Sequence, residues 1–134
     1  MIFILSQVFL VAFLINLLWE ILHSQLYETC LKISLKKYIP LIIGASLKDG
    51  FWVSLFYTIT VLIFKNFNIL INYIQLLVFV ITALIFSFID EKISLKMKRW
   101  HYSGDMPKIF GVGVTPLLEI AVTGILTFIL VFSF

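Results

Sequence analysis

The stretch NFNILINYIQLLVFVITALIFSFI, residues 66 to 89, contains no charged side chain. As a helix it rises roughly 36 Å, enough to cross a hydrocarbon layer of about 30 Å. Similar runs recur on both sides of it. Residues 2 to 19 carry no charge, Lys48 and Asp49 alone interrupt the run from Pro40 to Phe64, and Glu119 is the one charge after residue 108. With 62% of the 134 residues hydrophobic and 13% charged, a water-soluble core could not hide this much apolar surface. The runs do not alternate in hydrophobicity and far exceed the roughly ten residues of a barrel strand, which argues against β structure. The sequence therefore reads as an all-α integral membrane four-helix bundle. It forms a single transmembrane domain over residues 1 to 134, with spans near 2–23, 40–64, 66–89 and 109–134.

Four spans place both termini on one side. Lys32, Lys36, Lys37, Lys48, Lys92, Lys96, Lys98, Arg99 and Lys108 then share the other side, leaving only Lys65 opposite. The positive-inside tendency predicts a multi-pass cell-membrane protein with cytoplasmic basic loops and external termini. The net charge of +3 is thus topological information that also suits anionic lipid headgroups, and nucleic acid is not an expected partner. No Lys or Arg precedes the first run and no small-residue cleavage site closes it, so it reads as a retained helix rather than a leader. The lone Cys30 allows no intramolecular disulfide and no zinc-knuckle pattern, and it reads as an inert thiol.

The acids follow the basic residues to the same end, although topology does not require it. Asn16, Glu20, His23 and Tyr27 are spaced by four, three and four, which predicts one stripe along the first helix. The alternative is a helix that simply reaches the headgroups there, with Glu20 and His23 solvated. Asp49 lies nine residues beyond Pro40 and is costly inside a span. Alternatively, Lys48-Asp49-Gly50 is a turn that caps a helix starting near Gly50. Glu119 shares a flank with Thr115, Thr123 and Thr127, and His101 or Arg99 are candidate ion-pair partners for it. The segment RWHYSGDMP, residues 99 to 107, reads as an interfacial aromatic belt or as a lid over the bundle.

These residues predict a site in which Glu20, His23, Asp49 and Glu119 perform acid/base catalysis. Asn16, Tyr27, Glu91, Arg99, Trp100 and Tyr102 are the expected substrate-binding groups. Glu20-x-x-His23 has the spacing used by di-iron four-helix proteins, but no second Glu-x-x-His exists to complete such a centre. No cofactor is expected; a single divalent metal on Glu20, His23, Asp49 and Glu119 is the variant that the donor set allows.

The last two spans carry a family likeness. Glu91 precedes Trp100-His101-Tyr102 by nine residues, and Pro116-Leu117-Leu118-Glu119 opens the final span. This pattern resembles the small membrane-domain lycopene cyclases, in which an acid ends one span, W-x-[FY] follows, and Pro-Leu-Glu-Glu opens the next. Here one acid of that pair is replaced. The same residues, with Met106-Pro107, are similar to small uncharacterised bacterial membrane proteins bearing W-x-Y-x-x-x-M-P and P-L-L-[QE]. The cyclase resemblance implies proton-initiated ring closure of a polyene, a carboxylic acid donor, and aromatic faces that steady a carbocation. The chain also divides near residue 67 into two helical hairpins of similar layout, consistent with a duplication.

The leading expectation is a membrane enzyme doing cyclase-, isomerase- or hydratase-like acid/base chemistry on a lipid or isoprenoid in the cytoplasmic leaflet. Its partners would be membrane lipids and that substrate, with a homodimer compatible. The alternatives are a small proton-coupled transporter and a non-catalytic membrane assembly protein.

Overall fold

The computed structural model describes residues 1–134. Its helices are α1 (Ile2–His23), α2 (Glu28–Leu31), α3 (Leu35–Phe64), α4 (Tyr73–Lys96) and α5 (Val114–Ser133), with a two-residue hairpin, β1 (Lys108–Ile109) and β2 (Val112–Gly113), before α5. All but α2 are long and apolar enough to cross a membrane. The protein is an all-α four-helix bundle of the multi-pass membrane type.

Helix α1 packs along α3 and α5, and α4 packs along α5. Their shared core contains Val8 and Ala12 from α1, Val53 and Tyr57 from α3, Phe79 from α4, and Phe128 from α5. Leu10, Leu14 and Leu18 point outward from α1. That apolar exterior is what a hydrocarbon solvent requires, because helices meet in lipid by packing rather than by hiding oily surface.

The second span ends at Phe64 as expected, but the start of each spanning helix after the first and the end of α4 move, each for a local reason. Helix α3 begins at Leu35 rather than at Pro40, with Ser34 in extended conformation before it. Proline as the sixth helical residue gives up one hydrogen bond, to the Lys36 carbonyl, and the helix continues through it. Asp49 therefore lies inside α3, about 21 Å along it from Leu35, and is not a cap. Helix α4 starts at Tyr73 rather than at Asn66, because three asparagines organise the preceding turn. The Asn68 Oδ1 accepts from the Leu70 N–H, and the Asn72 Oδ1 accepts from those of Ile74 and Gln75. At its other end α4 runs on to Lys96 instead of stopping at Ile89, keeping Asp90 and Glu91 helical. Helix α5 starts at Val114 rather than at Ile109, since Phe110 (φ 52°) and Gly111 (φ 78°) form the left-handed tip of the β1–β2 hairpin.

The polar stripe expected on α1 is also interrupted. The helix ends at His23, residues Ser24–Leu26 form a tight 3₁₀ turn, and Tyr27 is extended. Tyr27 instead pairs with Tyr102 in an antiparallel bridge. The Glu28 N–H donates to the His101 carbonyl at 2.9 Å and the Ser103 N–H to that of Leu26 at 2.8 Å. The two long loops are thereby strapped together across one end of the bundle.

Two glycines set how closely the helices approach. A Cβ on Gly50 would lie 3.1 Å from the Phe13 backbone nitrogen, and one on Gly124 would overlap the Phe79 ring. At Gly44 a Cβ would meet nothing within 4 Å. Gly124→Leu should destabilise the bundle by about 1–3 kcal/mol, the usual range for overpacking. Gly44→Ala should be neutral, or stabilising by up to about 1 kcal/mol. Denaturant unfolding in detergent compares the two, and equal effects would contradict this packing.

Candidate functional site

Where α1, α3, α4 and α5 meet the strapped loops, they enclose a cavity of about 370 Å³. Of the expected site residues, Glu20, His23, Tyr27, Asp49, Glu91, Arg99, Trp100 and Glu119 all line it. Asn16 and Tyr102 do not. Asn16 is buried below Glu20 and its Nδ2 donates to the Ala12 carbonyl at 2.9 Å. Tyr102 stands behind the wall and acts through Glu91.

His23 is the centre of the first polar group. Its Nε2 lies 3.0 Å from Glu20 Oε2 and 3.8 Å from Glu119 Oε2, so one imidazole joins acids from α1 and α5. Its Nδ1 lies 3.1 Å from Thr115 Oγ1. Thr115 Oγ1 also lies 3.5 Å from Met106 Sδ. Asp49 on α3 lines the same cavity as these groups. Glu119 meets His23 rather than His101 or Arg99. Its Oε1 is buried and meets no donor. One donor atom each from Glu20, His23 and Glu119 fall within 4.8 Å of one another, an arrangement that can hold a metal ion; Asp49 is not among them.

Glu91 organises the second group. Its Oε1 accepts from Trp100 Nε1 at 2.9 Å, from the Tyr102 hydroxyl at 2.5 Å and from the Tyr27 hydroxyl at 3.3 Å. The backbone N–H of Gly113 in turn donates to the Tyr102 oxygen at 2.9 Å. One carboxylate therefore fixes both loops and the start of α5 over the cavity. The Tyr27 and His23 rings meet edge to face at 5.3 Å, joining the two groups.

Several lining residues carry no strong sequence signal. Lys48 Nζ lies 3.3 Å from Asp90 and 3.9 Å from Asp49, bridging α3 and α4 at the rim. Ser87 presents a buried hydroxyl with no partner, and Phe86 stacks on Trp52 at 4.3 Å below the polar groups. Lys48 reads alone as a snorkelling lysine, and Ser87 is hidden within an uncharged run. Thr123 and Thr127, on the Glu119 flank, are buried but donate to carbonyls of their own helix at 2.7 Å. They do not bond across helices.

Leu41, Gly44 and Lys48 are exposed residues that also line the cavity, so it opens along the side of α3. Arg99 lines the opposite rim, where its Nη1 donates to Ser94 Oγ at 3.3 Å. Cys30 lies in the wall as a free thiol, and burial, followed by the nearby Glu20 charge, pushes its pKa up. That favours an unreactive thiol. Comparison with family models, curated proteins and solved structures finds no match, so the site's own geometry carries the functional argument.

The loop tyrosines make the latch testable. Burial pushes both phenols above the ordinary value of about 10, and the Glu91 carboxylate adds to the effect; at Tyr102 the Gly113 N–H partly opposes it. Because the protonated form is favoured in the folded state, this contribution to stability is complete at neutral pH and is lost as pH rises past 10 through the elevated values. Ultraviolet titration should therefore show Tyr27 and Tyr102 among the late-ionising tyrosines. In Glu91→Gln, Tyr102 should ionise earlier; an unchanged titration would remove Glu91 from the latch.

Proposed function

We propose that the protein is a membrane-embedded acid/base enzyme whose substrate is a lipid or isoprenoid entering sideways from the bilayer. One observation carries this reading: carboxyl groups from three different helices converge with an imidazole on the floor of a cavity that opens along a transmembrane helix. Intramembrane ionisable groups are costly and ordinarily functional. The volume of about 370 Å³ fits the reacting part of a substrate, with an apolar tail lying along Leu41 and Gly44 toward lipid.

Carboxyls and an imidazole held in one cavity can pass protons to and from a bound molecule. Glu119 or Asp49 would deliver a proton to the substrate, and His23 with Glu20 would remove one. Thr115 holds the imidazole in register for that exchange. Trp100 and Phe86 offer aromatic surfaces within the cavity, and Ser87 a free hydroxyl for a substrate oxygen. These groups suit cyclisation, double-bond isomerisation or hydration, in which a proton adds to carbon and another leaves. The basic loops support a cytoplasmic setting for this end of the bundle, with both termini outside.

A transport pathway would need polar groups beyond the cavity. Below it lie Tyr57, Phe79 and Phe128, all buried, with Phe79 meeting Phe128 edge to face at 4.8 Å and Tyr57 tilted against it at 5.4 Å. A purely structural role for the acids would leave neither Glu119 Oε1 nor the Ser87 hydroxyl without a partner.

Proton transfer to carbon can be followed without knowing the substrate. The protein in nanodiscs, incubated in heavy water with total lipid extract of its host membrane, should introduce deuterium into a distinct lipid species seen by mass spectrometry. Asp49→Asn and Glu119→Gln should each slow that incorporation by roughly 10²–10⁴-fold, the usual contribution of a positioned acid or base. Absence of incorporation by the wild type, or full rates in both variants, would reject the proposal.

A further inference from the structure

The charges around the cavity do not balance. Five carboxyl groups line it, against the two permanent cations Lys48 and Arg99. Glu91 is satisfied by its three donors, and Lys48 serves both Asp90 and Asp49, which leaves Glu20 and Glu119 gathered around one imidazole. Buried carboxylates are stable when paired or when they coordinate a metal.

We infer that Glu20, His23 and Glu119 form the binding site for one divalent transition-metal ion of zinc's class, open toward the cavity. This rests on the reading of the cavity as the reaction site and names a cofactor for it. Four features point to the ion. The three donor atoms lie within 4.8 Å of one another. Metal bonds of about 2.0–2.2 Å in tetrahedral geometry would place ligand atoms roughly 3.3–3.6 Å apart. The 3.0 Å and 3.8 Å separations from His23 Nε2 to the two acids bracket that range. Glu119, 5% exposed, presents a carboxylate oxygen that no donor meets.

The fourth feature is the support behind the imidazole. Thr115 Oγ1 holds Nδ1 at 3.1 Å, which leaves Nε2 directed at the two acids. Metal-ligating histidines are commonly oriented in this way by a hydrogen bond from the other ring nitrogen. Three protein ligands leave a fourth position facing the cavity, as in catalytic zinc sites rather than closed structural ones. The imidazole selects a transition ion over magnesium or calcium, which prefer all-oxygen sites. With the ion bound, Glu20, His23 and Glu119 would serve as ligands rather than as the acid and base, and Asp49, which lies outside the ligand set and lines the same cavity, would carry the proton transfer.

The test uses the full-length protein in detergent, stripped with chelator and titrated with Zn²⁺, with Co²⁺ as a spectroscopic substitute. Elemental analysis should find one zinc per chain, and Co²⁺ should produce the visible bands of a low-coordinate site. His23→Gln and Glu119→Gln should abolish both signals, while Asp49→Asn should keep them. Thr115→Val leaves all three ligands in place and should weaken Zn²⁺ binding roughly 10–100-fold. Zinc bound equally by wild type and His23→Gln, no retained ion, or ready displacement by excess Mg²⁺ would each overturn the inference. Failure here is separable from failure of the enzymatic reading, since binding is measured without turnover. Undiminished deuterium incorporation by the stripped, metal-free protein would overturn the metal site and leave the acid/base reading intact.

Discussion

The contact between His23 and the two glutamates is the constraint around which this end of the bundle is arranged. A bilayer interior offers no water, so polar groups that enter it must find partners within the protein. His23 meets Glu20 one turn back on its own helix, and Glu119 and Thr115 on α5. For these groups to meet, α1 and α5 must lie side by side, and Asp49 on α3 must line the same cavity. The arrangement fixes three helices by electrostatic need as well as by packing. The fourth is fixed by Glu91, whose three donors come from the loops that close the same end.

The two ends of the bundle solve the same polar problem differently. At the far turn, Gln75 donates to the Asn66 carbonyl at 3.0 Å and accepts from the Asn66 amide at 3.2 Å, while Thr60 donates to the Tyr57 carbonyl. The Tyr57 hydroxyl closes that network on the Phe67 carbonyl. Neutral amides and hydroxyls satisfy one another there, and the result is a structural clasp. At the cavity, by contrast, charged groups are gathered and buried atoms of Glu119 and Ser87 are left over. Fully satisfied networks confer rigidity; leftover donors and acceptors beside a cavity call for a ligand.

Much of this was legible in the sequence because charge is so scarce in it. The four-helix fold follows from run lengths alone, and the convergence of Glu20, His23, Asp49 and Glu119 follows from deep ionisable residues having few places to go. The boundaries were harder because hydropathy does not register capping. Asn66, Asn68 and Asn72 are uncharged and read as part of a span, yet the first two accept backbone N–H bonds within the preceding turn and Asn72 caps the start of α4. Tyr27 was misplaced because periodicity assumes that the helix continues, and the tight turn after His23 ends it. Its neighbourhood with His23 survives through the loop, since the bridge to Tyr102 holds its ring in place. The Lys48–Asp90 pair, 42 residues apart in the chain, could not be read before α3 and α4 were set against each other.

Glycine explains how one helix serves both core and cavity. On α3, Gly50 brings the backbone of α1 against it, so the bundle is closed tightly just below Asp49. Two turns earlier, Gly44 faces open space and leaves a gap in the wall. Between these positions lie Lys48 and Asp49, one at the rim and the other buried on the floor. The close approach at Gly50 keeps Asp49 away from lipid and within the cavity, while the missing side chain at Gly44 leaves the same cluster accessible from the side. Exchanging the roles of these two positions would seal the chamber and loosen its floor, so the placement of small residues on α3 determines both the depth of the acid and the side on which the cavity opens.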